Sequence, residues 1–387
     1  MSDYSDIRGV CYSRGVNIPL DQVRKELGYA KKLNLNSARV WLRFSEWQKD
    51  PDAYLAKVVA YVRCAAEFGV STMPVLFSGN RLDPATLESD FHKTGEAYVS
   101  AVIDALKKES GMFIWDIMNE PTCNDYIRKS NATPYDYFTD GRLDKVWAFV
   151  KHYCAYTRKL DPGHPLTVGH TFPCDIEPTA EDVDILSFHD YLSTRKTIQA
   201  SYDLAVELGK KYRKPLNNSE LCCLCRSNPY DLSLEICEKN KVGWYIFELM
   251  IHGYWADAHG IFYPDGTVRD PSIPASIMGF YRNRGPSAVK PNANKEGHAD
   301  IAVRQIKEAL SDITELFRHK INSTEDVLEA AEHCANLLEC CELVPMYDPP
   351  SARILRFREM ENPDPLEVRK FAFELAEILR EKCQLLP

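Results

Sequence analysis

The chain has 387 residues, of which 45% are hydrophobic and 27% are charged, a composition typical of folded globular proteins rather than disordered ones. Its formal net charge is −9 at pH 7, and it has no run of lysine and arginine, which argues against a nucleic-acid-binding surface. No stretch reaches about 18 uninterrupted apolar residues, so we expect no membrane span and no membrane partner.

The N-terminus and the cysteines bear on the location of the protein. Residues 1–8 are acidic and polar, without the basic segment and apolar stretch of a secretory signal. The thirteen cysteines are odd in number and scattered along the chain, which favours buried free thiols in a reducing compartment over a disulfide framework. The sequence therefore predicts a cytoplasmic protein and leaves a trimmed secreted form open.

Short apolar strands alternate with segments of helical periodicity from residue 8 to residue 281. The predicted strands are 8–12, 37–41, 71–77, 112–121, 165–168, 184–188, 214–220 and 242–247. The predicted helices are 22–33, 52–68, 95–108, 143–159, 198–212, 232–238 and 274–281. Strands that alternate with helices in this way are typical of a parallel sheet.

The number of strands selects the fold. Eight strand candidates with intervening helices are what an α/β protein of the (β/α)8 TIM barrel type requires. An open doubly wound sheet is the competing fold, and it is disfavoured because no glycine-rich phosphate turn follows the first strand. We therefore predict a catalytic barrel over residues 1–282.

Beyond the barrel the sequence pattern changes. Glycines and prolines in residues 283–300 predict a linker. In residues 301–387 the apolar residues fall on helical faces, which predicts an all-helical extension that packs on the barrel or on another subunit and could form a homo-oligomer. These faces comprise Val303, Ile306, Leu310, Ile313 and Phe317, then Leu328, Ala331, Cys334, Leu338 and Cys341, and finally Val368, Phe371, Leu375 and Ile378.

The stretch 112–121 ends in a polar pair, Asn119 and Glu120, followed by Pro121. A short continuous apolar run predicts a strand covered on both faces. A carboxylate at the end of such a strand is partly desolvated, so we expect its pKa to rise far enough for it to donate a proton near neutral pH. The proline disfavours helical geometry at Glu120 and should hold the side chain in place.

Polar residues follow several of the predicted strands, and in a closed parallel barrel these strand ends meet at one face. They are Arg39, Asn119, Glu120, His189, Tyr191, Glu220 and Trp244. Two carboxylates facing each other across a cleft suit cleavage of a glycosidic bond. Asn119 could then bind a sugar hydroxyl, Arg39 or Tyr191 could keep the second carboxylate ionised, and Trp244 could stack on a sugar ring.

These residues, in this order, resemble the clan A retaining glycoside hydrolases, and most of all glycoside hydrolase family 5, the cellulase family. The resemblance covers roughly residues 7 to 282 and includes the segment 263–271 after the eighth strand. It implies that Glu120 is the acid/base and Glu220 the nucleophile. It implies that Arg39, Asn119, His189, Tyr191 and Trp244 bind substrate.

The sequence departs from the family pattern at three strand ends. Ser78 and Asn80 stand where the family often has a histidine, and His92 lies further along the chain. Cysteines at 222, 223 and 225 follow Glu220, and Phe247 stands in a segment where relatives can carry tryptophan. These departures leave the identity of the sugar open.

We expect no cofactor and no metal ion. Cys222, Cys223 and Cys225 suggest a metal site, but a structural zinc site usually needs two spaced pairs of ligands, and no second pair is positioned nearby. The aromatic loop 126–138 follows the acid/base strand and could either shape the substrate cleft or be an ordinary surface loop.

The sequence thus predicts a retaining β-glycosidase that acts on a small carbohydrate, with β-linked gluco- or manno-configured oligosaccharides or glycosides as substrates. An endo-acting β-glucanase or mannanase is one alternative. A catalytically silent carbohydrate-binding barrel and a metal-dependent barrel hydrolase are two others.

Overall fold

The computed structural model describes residues 4–78, 85–124, 141–279, 323–340, 344 and 349–384. The chain separates into two compact units, Met1–Arg282 and Asn283–Pro387. The predicted linker 283–300, the helical face from 303 to 317 and the loop 126–138 lie outside the described residues.

The first unit is a closed barrel of eight parallel strands, each paired with the next in the sequence and the last paired with the first. The strands are β1 Arg8–Cys11, β2 Ser37–Trp41, β3 Ser71–Ser78, β4 Trp115–Asn119, β5 Leu166–His170, β6 Leu186–Asp190, β7 Leu216–Leu221 and β8 Gly243–Ile246. This confirms the predicted (β/α)8 barrel. The carboxyl-terminal ends of the strands form one face of the barrel, which we call the mouth.

Helices connect these strands on the outside of the barrel. In the described part of the first unit they are α1 Leu20–Lys32, α2 Phe44–Lys49, α3 Pro51–Glu67, α4 Asp90–Leu106, α5 Arg142–Leu160, α6 Arg195–Tyr212, α7 Tyr230–Asn240 and α8 Ser272–Ile277. Side chains cap several of them: Asp50 accepts a hydrogen bond from the backbone N–H of Ala53, and Ser89 accepts one from that of His92. Such caps satisfy amides that have no partner within the helix.

Two connections differ from the prediction. The short helix α2 was not predicted, and the connection between β5 and β6, for which no helix was predicted, holds two single-turn 3-10 helices, Pro173–Asp175 and Glu177–Thr179. Pro178 in the second turn would lie in the interior of a helix that continued from Pro173, where it lacks the N–H that such a helix needs.

The residues of β2 show how the barrel divides its side chains. Ala38 and Val40 belong to the large apolar core that also contains residues of the surrounding helices, whereas Trp41 packs with the smaller cluster inside the barrel. Successive residues of a strand point to opposite sides, so Arg39 lies on the same side as Trp41 and faces the interior. The strand therefore delivers a charged side chain into the centre of the barrel.

The second unit is helical, as predicted. Its described helices are α9 Thr324–Cys340, α10 Pro350–Glu359 and α11 Pro365–Gln384. The predicted faces around Leu328 and Leu375 are buried in a core of their own, while Cys341 lies outside the described residues. Ser323, just before α9, and Asp326 in its first turn exchange hydrogen bonds, each side chain accepting from the backbone N–H of the other, which fixes the start of that helix. Within the described part of the chain, no helix is long and apolar enough to cross a membrane.

Candidate active site

Arg39 lies at the centre of the mouth and joins three strands. Its side chain is fully buried and donates hydrogen bonds to Asp116 (2.9 Å), Asn119 (2.7 Å) and Glu220 (2.6 Å). Burial alone would lower the pKa of Arg39, but the carboxylates of Asp116 and Glu220 outweigh it and raise the pKa above its ordinary value. The guanidinium is therefore a permanent cation that orders the ends of β4 and β7.

Asp116 is a member of this site that the sequence analysis missed. It is fully buried, and besides Arg39 it accepts a hydrogen bond from the backbone N–H of Gly169 at 3.1 Å. Burial raises the pKa of Asp116, and the nearby Arg39 opposes that rise. The sequence did offer a signal for Asp116, since it is a lone carboxylate inside an apolar strand. A buried charge requires a partner, so such a residue is expected to contact an opposite charge.

The backbone is adapted to bring these groups together. Asp116 and Asn119 are three residues apart, yet both contact Arg39, and the register of β4 against β5 shifts between them. Strict alternation would place them on opposite faces, so the irregularity turns Asn119 inward. Gly169 leaves the room that Arg39 needs, since a Cβ atom there would lie 2.5 Å from Arg39 Nη2.

Glu120 follows β4 directly and adopts the left-handed backbone conformation, with φ 44° and ψ 64°. This conformation is uncommon for residues other than glycine and tends to occur at functional sites. Its backbone N–H donates to Gly169 O at 2.7 Å, and Pro121 begins a short 3-10 turn. Glu120 is thus outside right-handed helical geometry, as expected from Pro121, and its side chain projects from a fixed point.

His189 on β6 controls the charge of Glu120. Its Nδ1 lies 2.9 Å from Glu120 Oε1. Burial would raise the pKa of Glu120, but the hydrogen bond from His189 and the positive charges of His189 and Arg39 outweigh it, and the pKa falls below its ordinary value. The raised pKa expected from the sequence is therefore wrong, because that expectation considered burial without the histidine.

Glu220 at the end of β7 has a donor for each carboxylate oxygen. Arg39 binds Oε1, and the Tyr191 hydroxyl donates to Oε2 at 2.8 Å. Burial and the charge of Glu220 raise the pKa of Tyr191 well above its ordinary value, so the hydroxyl keeps its proton. These two donors fix the orientation of the Glu220 carboxylate.

The two glutamates lie side by side. Ligand atoms of Glu120, His189 and Glu220 all fall within 4.8 Å of one another, so one oxygen of each carboxylate lies within that distance of the other. The Glu220 side chain is 8% exposed and that of Glu120 is 17% exposed. Both carboxylates are therefore held in a sheltered site that solvent still reaches.

Trp244 is the one predicted site residue that the structure places elsewhere. It is the second residue of β8, pairs in register with Arg8 at the start of β1, and packs in the core that contains residues of the outer helices. Its neighbour Tyr245 occupies the barrel interior, so alternation turns the Trp244 side chain outward. Stacking of a sugar on Trp244 is thus incompatible with the structure.

Other aromatic residues occupy the mouth instead. Phe247 contacts Trp41 edge-on with ring centroids 5.8 Å apart, and it lies 4.8 Å from the ring of His259. His259 also contacts Tyr191 and the half-exposed Trp255. Trp41 and Trp255 could offer apolar faces to a sugar. Trp41 is the last residue of β2, which was a sequence signal, whereas Trp255 lies in a 3-10 turn well beyond the end of β8 and had no such signal.

A further carboxylate, Glu248, lies two residues beyond β8 and is buried. Its Oε2 accepts hydrogen bonds from the backbone N–H of Ser13 (3.2 Å) and from the Ser13 hydroxyl. His252 Nε2 lies 3.2 Å from Ser13 Oγ. Ser13 lies two residues beyond β1, so this group also belongs to the mouth, and sequence reasoning had not singled it out.

The structure locates residues at which the sequence departs from the pattern of the family that it resembles. Ser78 ends β3 and pairs in register with Asn119, whereas Asn80 lies outside the described residues. His92 lies in the first turn of α4, with Nδ1 3.0 Å from the Tyr153 hydroxyl.

Two groups of described residues could hold a metal ion, Glu120 with His189 and Glu220, and His92 with Glu96 and His152. The cysteines after β7 belong to neither group. Cys222 and Cys223 are buried, Cys225 is exposed, and the Sγ atoms of Cys223 and Cys225 lie 3.4 Å apart.

Comparison with known proteins finds no matching family model and no matching curated protein. Solved structures do match. An endo-1,4-β-mannanase from Rhizomucor miehei has a TM-score of 0.56 at 16% identity, covering 70% of this chain and 92% of its own. An endo-1,4-β-D-mannanase from Thermotoga petrophila has a TM-score of 0.53 at 17% identity, with 70% and 98% covered. The chain has the fold of these enzymes.

Two further structures extend the likeness. A GH5_18 protein from Streptomyces cattleya, in complex with Manβ1-4GlcNAc, has a TM-score of 0.56 at 15% identity, covering 73% of this chain and 82% of its own. An exo-β-1,4-mannosidase from Opitutaceae bacterium strain TAV5 has a TM-score of 0.54 at 15% identity, covering 80% of this chain and 67% of its own. The shared feature is the barrel.

Proposed function

We propose that this chain is a retaining glycoside hydrolase that cleaves β-linked manno-configured glycosides, with Glu120 as acid/base and Glu220 as nucleophile. The observation that carries this proposal is the side-by-side placement of the two carboxylates at the mouth, within 4.8 Å between nearest ligand oxygens. Retaining enzymes hold their carboxyl groups about 5–5.5 Å apart, whereas inverting enzymes need about 6.5–9.5 Å to admit a water molecule.

The hydrogen bonds support different roles for the two glutamates. Glu220 accepts a hydrogen bond from Arg39 on one carboxylate oxygen and from Tyr191 on the other. This arrangement suits a nucleophile, which must stay ionised and point at a carbon atom. Glu120 is bonded to His189, a group that can itself gain and lose a proton, which suits a carboxyl that exchanges protons during the reaction.

In the first step, the protonated form of Glu120, which its lowered pKa makes the minor form near neutral pH, donates its proton to the glycosidic oxygen as the bond from that oxygen to the anomeric carbon breaks. A Glu220 oxygen forms a bond to the same carbon from the opposite face and gives a covalent glycosyl-enzyme. The free alcohol leaves. Glu120 is now a carboxylate, and His189 and Arg39 stabilise its charge.

In the second step, Glu120 takes a proton from water, and the water oxygen attacks the anomeric carbon. The bond from that carbon to Glu220 breaks and returns Glu220 to a carboxylate, which Arg39 and Tyr191 again stabilise. Two inversions at one carbon give net retention of the β configuration.

The manno configuration is proposed from the structural relatives. They include endo-mannanases and an exo-mannosidase, and one of them was solved with a mannose-containing disaccharide. A panel of aryl β-glycosides tests this part: the β-mannoside should be hydrolysed fastest, and faster hydrolysis of the β-glucoside would return the choice to gluco-configured substrates.

Azide rescue tests the roles of the two glutamates. Glu220→Ala should lose turnover of an aryl β-mannoside, and added azide should yield the α-mannosyl azide, because a single displacement inverts the carbon. Glu120→Ala should lose about 10²–10⁴-fold in turnover of substrates with poor leaving groups, and azide should yield the β-mannosyl azide. The opposite pair of azide products would exchange the two roles.

The same preparations separate the alternative functions. Near-normal turnover in Glu220→Ala would rule out the assignment. Sugar-dependent stabilisation of the wild type without hydrolysis of any aryl glycoside would favour a silent carbohydrate-binding barrel. Full activity after dialysis against a chelator is expected, and loss of activity would favour a metal-dependent hydrolase using Glu120, His189 and Glu220 as ligands.

A further inference from the structure

We propose that His92, Glu96 and His152 form a binding site for a divalent transition-metal ion of the zinc class, on the outer face of the barrel between α4 and α5. His92 and Glu96 are one helical turn apart on α4 and so lie on the same face of that helix. His152 projects from α5, and ligand atoms of all three residues lie within 4.8 Å of one another.

The ligand types select the class of ion. Two imidazole nitrogens and one carboxylate oxygen suit Zn²⁺ and its first-row neighbours, whereas Ca²⁺ and Mg²⁺ prefer oxygen ligands alone. Bond lengths of about 2.0–2.2 Å place the ligand atoms of tetrahedral Zn²⁺ roughly 3.4 Å apart. His152 Nε2 already lies 2.8 Å from Glu96 Oε1, so side-chain rotations suffice to form the site.

A buried tyrosine supports one of the ligands. The Tyr153 hydroxyl lies 3.0 Å from Nδ1 of His92, and the Tyr153 side chain is fully buried. Metal-bound histidines characteristically use their second nitrogen for such a contact, which leaves the first nitrogen unprotonated and oriented. Gly95 admits this hydroxyl, because a Cβ atom at Gly95 would lie 2.1 Å from it.

The site is open to ions in solution. The side chains of His152 and Glu96 are 32% and 43% exposed, so an ion can enter and water can complete its coordination. The bound ion would tie together the helices that precede and follow β4 in the chain, and β4 leads into Glu120. This function is separate from the chemistry proposed at the mouth.

Titration of the full-length, chelator-treated protein with Zn²⁺ tests the proposal. We expect one equivalent to bind with a rise in Tm, and Co²⁺ to give a visible d–d spectrum without the intense charge-transfer band of thiolate ligands. His152→Gln and His92→Gln should each weaken Zn²⁺ binding about tenfold or more. Tyr153→Phe removes only the supporting hydroxyl and should weaken Zn²⁺ binding by about 10-fold. His164→Gln, a histidine outside the group, should bind as the wild type does.

Several results would overturn the proposal. One is that Zn²⁺ does not raise the Tm of the wild type, and another is that it raises the Tm of His152→Gln equally. A third is that the double variant Glu120→Gln/Glu220→Gln loses the rise in Tm instead, which would place the ion in the mouth. A thiolate charge-transfer band with Co²⁺ would assign the ion to cysteines. Because the ligand side chains are partly exposed, we expect His92→Gln and His152→Gln to keep the Tm of the metal-free wild type.

Discussion

Arg39 Nη1 donates a 2.6 Å hydrogen bond to Glu220 Oε1, and these two residues are 181 positions apart in the sequence. The same guanidinium neutralises Asp116 and orients Asn119, so the charge balance of the mouth depends on one side chain. A buried cation with two carboxylate partners has consequences for both stability and catalysis.

Replacement of Arg39 by methionine should destabilise the protein. Removing one member of a buried ionic network typically costs about 3–5 kcal/mol, because the remaining charges are left uncompensated. Denaturant unfolding followed by circular dichroism measures this change. Arg24→Met is the matched control, since the Arg24–Glu67 pair is exposed and its loss should leave the unfolding midpoint almost unchanged. Equal midpoints for the two variants would contradict the network.

Replacement of Tyr191 by phenylalanine should reduce kcat and leave the fold intact. The variant loses the hydroxyl donor to Glu220 Oε2, and a hydrogen bond to a charged group is worth about 1.5–3 kcal/mol, which corresponds to about 10–160-fold in rate. Steady-state kinetics with an aryl β-mannoside measures the change. Tyr156→Phe, which loses a hydroxyl contact to Ser100 in the helical layer, should retain wild-type kcat. Wild-type turnover in Tyr191→Phe would show that this donor is dispensable.

Replacement of His189 by phenylalanine should shift the pH profile of kcat/KM. In the variant, the hydrogen bond and charge of His189, which lower the pKa of Glu120, are gone, while burial, which raises that pKa, and Arg39, which lowers it, remain. The acid must be protonated in the first step, so activity falls as pH rises through its pKa. We therefore expect the alkaline limb of the profile to move to higher pH, together with a lower maximum rate. An alkaline limb that stays in place or moves to lower pH would contradict this role of His189.

Asp190, next to His189 on β6, should reduce stability at neutral pH. Burial raises its pKa to about 6, and its Oδ2 has no hydrogen-bond partner among the described residues. Because the folded-state pKa exceeds the unfolded value, ionisation costs stability as pH rises from about 4 to above 6. Asp190→Asn should therefore stabilise the protein by about 1–3 kcal/mol at pH 7 and by little at pH 4. Denaturant unfolding at the two pH values measures this, and a gain that is larger at pH 4 would contradict it.

The sequence predicted the barrel and six of the residues that meet at its mouth, because the ends of parallel strands converge in a closed barrel whatever their separation in sequence. It misplaced Trp244 because the run 242–247 is continuously apolar, so its inward and outward positions cannot be read from alternation. The whole strand β8 is only Gly243–Ile246, which leaves Trp244 at the end opposite the mouth.

Asp116 and the charge state of Glu120 show a second limit. No local sequence pattern marks Asp116 as a site residue, and its partner Arg39 is 77 positions away. The pKa of Glu120 depends on His189, which is 69 positions away on another strand. A group's environment in a barrel is set by side chains from non-adjacent strands, so burial could be anticipated from the local sequence but the compensating charges could not.

The most direct test of the central claim is the stereochemistry of hydrolysis by the wild-type protein. Proton NMR of an aryl β-mannoside during the first minutes of reaction, before the anomers equilibrate, identifies the sugar released first. Double displacement by Glu120 and Glu220 predicts that β-mannose appears first and α-mannose accumulates only by mutarotation. Initial release of α-mannose would contradict it, because it would require a single displacement by water.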